Sequence, residues 1–384
     1  MRAFLLCTLL STAAFAPSAM AEGIFGSGNT LDPAFCKQHT VRQTVVYIDD
    51  SILVAGNTEW ARTIYAKLRA TLTPGERTTL VELSPTTGGS TEMWSGCWPA
   101  YTPAQSARLA SETHIFSANP LNSIGEQQGY FFHDFGVAAQ KIEQKAARPA
   151  SAVMIDPASP PSKSVLRTLV SDGARYAHTR ETVRAILYSD LAENSDLGSV
   201  FKPLPAAPVD YGAQLGTYLR RSVFYVFGLG SDMHGQGALQ DTTRHFWDNA
   251  LRSMNATVAS FGSDLGVPNI LPVREAAYDV TLQDAGQTLP GHLSLLADAD
   301  GTLVDSWIGI TRLRNATLNG VYRCNGPADA LNCMLNATSS GGVVTMSPSE
   351  NVHLAGRDGQ SLKGHIGVPG SNVNLALTAN PATD

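Results

Sequence analysis

The feature that most limits what this chain can fold into is the periodicity of its apolar residues, which changes character at Pro268. From residue 41 to 268, short β-branched or aromatic runs alternate with stretches whose apolar residues recur every three or four positions. The runs are residues 45–48, 79–83, 183–188, 223–227 and 257–261. Helical spacing between them is carried by Trp60, Ile64, Leu68 and Leu72, by Val165, Leu166, Leu169 and Val170, and by Phe246, Trp247, Ala250, Leu251 and Met254. Strands that are apolar on both faces must be covered on both, and helix-length connections pair strands in parallel. Residues 41–268 therefore predict an α/β domain with a mostly parallel central sheet flanked by helices. Beyond Gly266-Val267-Pro268 the helical spacing disappears, and short alternating runs at 278–282, 292–297, 303–310, 341–346 and 373–377 are separated by glycine turns. Residues 269–384 predict a smaller antiparallel β domain, a sandwich or small barrel.

The amino terminus and the cysteines set the expected compartment. Met1-Arg2 carries a positive charge, residues 3–16 are apolar, and Ala19-Met20-Ala21 precedes Glu22 as a small-x-small cleavage site. Residues 1–21 read as a secretory signal peptide and 22–40 as an amino-terminal extension. The apolar run is broken by Ser11, Thr12 and Pro17 and falls short of the roughly 20 residues that a membrane span needs. Cys7 follows Phe4-Leu5-Leu6, without the small residue that precedes a lipidated cysteine. No span or lipid anchor is expected after cleavage, and the mature chain should be periplasmic or extracellular. Four cysteines then remain in an oxidising compartment, which implies two disulfides: Cys324 with Cys333 by proximity, and Cys36 with Cys97. The formal charge of -6, with its acidic residues dispersed, gives no nucleic-acid footprint.

Two strand ends offer oxygen ligands. Residues 45–48 run into Asp49-Asp50-Ser51, and the strand at 183–188 runs into Ser189-Asp190, with Glu193, Asn194, Ser195 and Asp196 following. Ligands of open α/β sheets gather at such carboxyl ends, and oxygen donors suit a hard divalent cation. With these residues the chain resembles a von Willebrand factor A-type domain. That family binds Mg²⁺ through Asp-x-Ser-x-Ser after its first strand, a Thr from a middle loop and an Asp after a later strand. Asp49-x-Ser51 matches the first half of the motif and Asp190 matches the late Asp, while Leu53 stands where the second Ser belongs. Ser162 or Ser164, ahead of the helix beginning near Val165, is the nearest hydroxyl for the middle loop. The resemblance implies a site for Mg²⁺ or Mn²⁺ at Asp49, Ser51, Asp190, Ser162 and Ser164, and a protein partner. On the bare residues, Asp49 could equally cap a helix and Asp190 start a turn.

A second string, Leu295-Leu296-Ala297-Asp298-Ala299-Asp300-Gly301-Thr302, resembles the signature of the haloacid dehalogenase-like phosphatases. Asp298 would there be the nucleophile and Asp300 the general acid/base. That chemistry needs a later hydroxyl, a lysine and further carboxylates on β-α units, yet the residues after Asp300 hold Lys363 as their only lysine and no helical pattern. A β-hairpin turning at 298–301 accounts for the same residues. His133-Asp134, His234, His245, Gly228-Leu229-Gly230-Ser231 and Gly88-Gly89-Ser90-Thr91 each lack the companions that their motifs require. The sequence therefore leads to an exported protein-binding or scaffold protein, with a metal-dependent hydrolase as the alternative.

Overall fold

The computed structural model describes residues 30–112, 120–146, 148–149, 156–177, 179, 181–229, 237–327, 330–345 and 347–382. The expected signal peptide with Cys7, the whole of the segment 22–29, and Gly230, Ser231 and His234 lie outside the described residues. Residues 31–384 form one compact unit.

The α/β region contains β1 (Arg42–Asp49), α1 (Glu59–Thr71), β2 (Arg77–Ser84), β3 (Gly89–Cys97), α2 (Pro103–Glu112), α3 (Ile124–Ala146), α4 (Val165–Gly173), β4 (Thr182–Tyr188), the short hairpin β5 (Asn194–Ser195) and β6 (Gly198–Ser199), α5 (Tyr211–Leu215), β7 (Ser222–Phe227), α6 (Gly237–Ser253) and β8 (Thr257–Phe261). Its six-stranded sheet has the order β3-β2-β1-β4-β7-β8. All pairings are parallel except β2 with β3, which close a hairpin through Gly88 at φ +79° and leave β3 as an antiparallel edge. The period of two along each strand sorts the apolar residues onto two faces. Val45, Tyr47, Val81, Leu83, Ala185, Leu187, Phe224 and Val226 pack with α4 and α6, while Val46, Ile48, Leu80, Ile186, Val223 and Tyr225 pack with α1 and α3. This is the doubly covered, mostly parallel sheet that the pattern of runs and helices required.

The second region is β9 (Arg274–Asp284), β10 (Gln287–Ala297), β11 (Trp307–Ile310), β12 (Asn315–Asn325), β13 (Asn332–Ser339), β14 (Asn351–Arg357), β15 (Leu362–Gly367) and β16 (Asn374–Pro381). Each strand pairs antiparallel with the next, and β16 pairs back onto β9, so the eight strands close an up-and-down barrel. Residues 341–345, expected as a strand, form a loop instead. The buried Glu350 carboxylate accepts hydrogen bonds from the amides of Val343, Val344 and Thr345, so these amides cannot join a ladder. The polar strands β12 to β15 carry little apolar run of their own. They are strands because closure hides one face, as in the alternation of buried Cys333, Leu335, Ala337 and Ser339 with more exposed neighbours along β13.

The barrel docks against the amino edge of the α/β sheet through a buried ionic network. Arg42 at the start of β1 donates to Glu76 (2.8 Å) and to Asp305 of the barrel (2.6 Å), and Arg184 of β4 reaches the other Glu76 oxygen at 3.2 Å. Thr44 Oγ1 donates to Glu76, the Tyr225 hydroxyl donates to Asp305, and Trp307 Nε1 donates to Thr182 Oγ1, which donates to Ser294 Oγ. Two guanidiniums and two carboxylates, all essentially without solvent exposure, leave the network formally neutral. With the amino edge covered, the carboxyl edge is the free end of the sheet.

Candidate functional site at the carboxyl edge

The strand order reverses between β1 and β4: β1 leads through α1 to β2 on one side, and the chain returns to place β4 on the other. Side chains that follow β1 and β4 therefore face each other across the crevice where such sheets place their sites. Asp49 ends β1 and its Oδ1 accepts from the amide (3.1 Å) and hydroxyl (2.6 Å) of Ser51, capping the short 3₁₀ turn Asp50–Ile52. Asp49 Oδ2 accepts from Ser189 Oγ at 2.6 Å, which ties the end of β1 to the end of β4. Asp190 Oδ1 accepts from the Ala192 amide at 3.0 Å. Asp49, Ser51 and Asp190 are thus brought together at the carboxyl edge.

Lys163 stands between the two carboxylates. Its Nζ lies 2.8 Å from Asp49 Oδ2 and 2.5 Å from Asp190 Oδ1, and the side chain is only 3 % exposed. The middle loop holds it there by backbone: the Lys163 amide donates to the Asn194 carbonyl (3.0 Å), the Asn194 amide donates back to the Lys163 carbonyl (2.8 Å), and the Ser164 amide donates to Pro85. Burial alone would push the ammonium pKa down, but Asp190 and Asp49 more than offset this and hold it above the ordinary lysine value. Two carboxylates and one ammonium leave the cluster at a formal charge of −1, fully buried in the loops.

The hydroxyls that flank Lys163 point to different environments. Ser162 is exposed, whereas Ser164 Oγ is buried and has no hydrogen-bond partner. Asp190 Oδ2 is likewise buried and unpartnered. Leu53, at the second-serine position, is 1 % exposed and packs in the apolar core beneath α1 and α3. Asp50 turns away to accept from Ser84 Oγ at the end of β2. Glu193 accepts from the Leu166 amide in the first turn of α4 and from Ser195 Oγ, and burial pushes its carboxyl above the usual range.

As folded, these residues do not fit a divalent ion. Mg²⁺ requires near-octahedral oxygen ligation at about 2.0–2.1 Å, and here Asp49 has both oxygens engaged and the space between the carboxylates holds an ammonium. Lys163 escaped the sequence reading although the residues on either side were singled out. A strand-end Asp pair with a Lys in the middle loop was the available signal. Among the described residues, one group of three potential metal ligands converges elsewhere, at Cys324, Cys333 and Asp358. Its two sulfurs are bonded to each other, as are those of Cys36 and Cys97. These two pairs fit an oxidising, extracytoplasmic environment, and no described helix is long and apolar enough to cross a membrane.

Asp298 and Asp300 lie on the turn between β10 and β11, where Asp298 Oδ1 accepts from the amides of Asp300 (3.0 Å) and Thr302 (2.7 Å). Both carboxylates stand at the barrel rim, away from any sheet edge covered by helices, so the phosphatase alternative has no structural support. His133 and His245 are exposed on α3 and α6.

No protein-family model matches the chain, and no curated protein matches it. Among solved structures it is similar to the ArnB paralog VWA2 from Sulfolobus acidocaldarius, at 10 % identity and a TM-score of 0.28 over 83 % of this chain and 65 % of that one. It is also similar to the human COPII-coat protein Sec24c, at 9 % identity and a TM-score of 0.31 over 89 % of this chain and 44 % of that one. The chain thus spans less than two thirds of the length of either structure. Strand order, edge strand and helix layers make this a mostly parallel, helix-flanked α/β domain joined to a closed β-barrel.

Proposed function

We propose that this chain is an exported interaction protein that presents the carboxyl edge of its sheet to a protein partner and turns over no substrate. The observation that carries the reading is the buried Lys163 between Asp49 and Asp190. An ammonium kept charged by two carboxylates is neither nucleophile nor base, and both oxygens of Asp49 are already taken up by Ser51, Ser189 and Lys163. The polar cluster is thereby committed to holding the loops of the edge in place. A rigid edge, on a sheet whose opposite end is buried against the barrel, suits recognition. Beside the cluster lies a cleft of about 680 Å³ whose lining includes Trp60, Tyr188, Phe227, Arg244 and Asp264. Trp60 stacks on Tyr188, with ring centroids 5.8 Å apart. Trp60 and Phe227 are buried, so Tyr188 and the charged Arg244 and Asp264 are the groups this cleft offers a partner. Export is supported by the pattern of residues 1–21 and by the two disulfides.

The test is a hydrolase screen of the disulfide-intact protein with phosphomonoester, ester and peptide substrates, with and without Mg²⁺ or Mn²⁺. The expected result is no turnover. Turnover that disappears in Asp49→Ala would make the edge catalytic, and turnover lost only in Asp298→Asn would restore the phosphatase reading.

A further inference from the structure

We infer that Lys163 is the resident cation of the carboxyl edge: its ε-ammonium stands where a von Willebrand A-type site would hold a divalent ion, so this edge is closed without metal. The inference rests on the loop geometry alone and holds whether or not a partner binds. The two groups it touches, Asp49 at 2.8 Å and Asp190 at 2.5 Å, are the strand-end carboxylates that a metal would bridge. Lys163 comes from the middle loop, between Ser162 and Ser164, the loop from which a third ligand would come. Its backbone is pinned on both sides of the residue by Asn194, so the ammonium is positioned by the fold and cannot swing aside cheaply. Leu53 fits the same logic, because a site that contains its own cation has no use for a second serine there.

Charge explains why the two cations exclude each other. The pocket between the carboxylates carries two negative charges, and one ammonium leaves −1; a divalent ion in the same space would meet an ammonium at contact distance in a buried, low-dielectric position. Removing the amine reverses the situation. Asp49 and Asp190 would then be two uncompensated buried carboxylates, and the unpartnered Asp190 Oδ2 and Ser164 Oγ are two further oxygens already in place.

The experiment uses the full mature chain with its disulfides formed. Wild-type protein should bind no Mn²⁺ by electron paramagnetic resonance titration, and its Tm should not move with millimolar Mg²⁺ or Mn²⁺. Lys163→Ser should have a lower Tm in chelator, bind one Mn²⁺ and regain part of the lost Tm with it; Lys163→Ser/Asp190→Asn should lose that binding. Mn²⁺ bound by the wild type and lost in Asp49→Asn would overturn the inference, as would a folded Lys163→Ser that binds none. The wild-type titration, with Asp49→Asn as its control, decides the question even if Lys163→Ser does not fold.

Discussion

Asp305 is where the two regions are most exposed to a single substitution. Its Oδ2 accepts from Arg42 at 2.6 Å, its other oxygen accepts from the Tyr225 hydroxyl, and its side chain has no solvent exposure. Asp305→Ala leaves Arg42 and Arg184 facing Glu76 alone, one buried positive charge in excess, and strands the Tyr225 hydroxyl. Breaking a buried pair from one side costs about 3–5 kcal/mol, and an unsatisfied hydroxyl adds roughly 1–3 kcal/mol that overlaps with it. A total of about 4 kcal/mol is expected. Scaled to the roughly 350 residues of the compact unit 31–384, the entropy of unfolding converts this to a fall in Tm of about 5 °C. The companion variant Arg42→Met/Asp305→Leu removes both partners and leaves Glu76 and Arg184 as a neutral pair. It should cost much less than the sum of the single changes. Urea unfolding followed by far-ultraviolet circular dichroism, together with calorimetry to detect separate melting of barrel and α/β domain, measures both. A loss below about 1 kcal/mol for Asp305→Ala, or a double variant equal to the sum of the singles, would refute the claim that this network couples the domains.

The disulfides should differ in weight. Closing 61 residues between Cys36 and Cys97 is worth about 4 kcal/mol, and closing 9 between Cys324 and Cys333 about 2.5 kcal/mol. The paired serine replacement at 36 and 97 should therefore lower Tm more than that at 324 and 333. Two buried glutamates should pull stability in opposite directions with pH. At Glu76, burial alone would raise the carboxyl pKa, but Arg42 and Arg184 hold it below its usual value. Its contribution is full above the unfolded value of about 4.3 and is lost as pH falls through the lower folded value. At Glu193, burial raises the pKa, so its contribution is full below about 4.3 and is lost as pH rises through the folded value. Glu193→Gln should remove that second loss and match or exceed wild-type stability at pH 7, read from urea midpoints across the acid-to-neutral range; a variant less stable at neutral pH than at acid pH, relative to wild type, would contradict the assignment.

The sequence alone was enough to determine the layers of the α/β domain, because a strand such as 45–48 that is apolar on both faces has only one stable environment, a sheet covered by helices. It also pointed to both cysteine pairings and to the meeting of Asp49 with Asp190, since each carboxylate lies at or just beyond the end of its strand and parallel strands end on the same edge. Only the tertiary structure decided what lies between them. Lys163 is a polar residue in a Pro-rich loop, and nothing local distinguishes a solvated lysine from one that the Asn194 bridge turns inward. The same holds for Arg42, Glu76, Arg184 and Asp305, spread over more than 260 positions, which form one network only when the barrel closes on the sheet. Strands β12 to β15 were equally hidden, because their alternation of buried and exposed residues uses small and polar side chains whose burial depends on closure of the whole barrel. Local periodicity encodes which face an element buries; the pairing of charges depends on contacts between residues far apart in the chain, which local periodicity does not record.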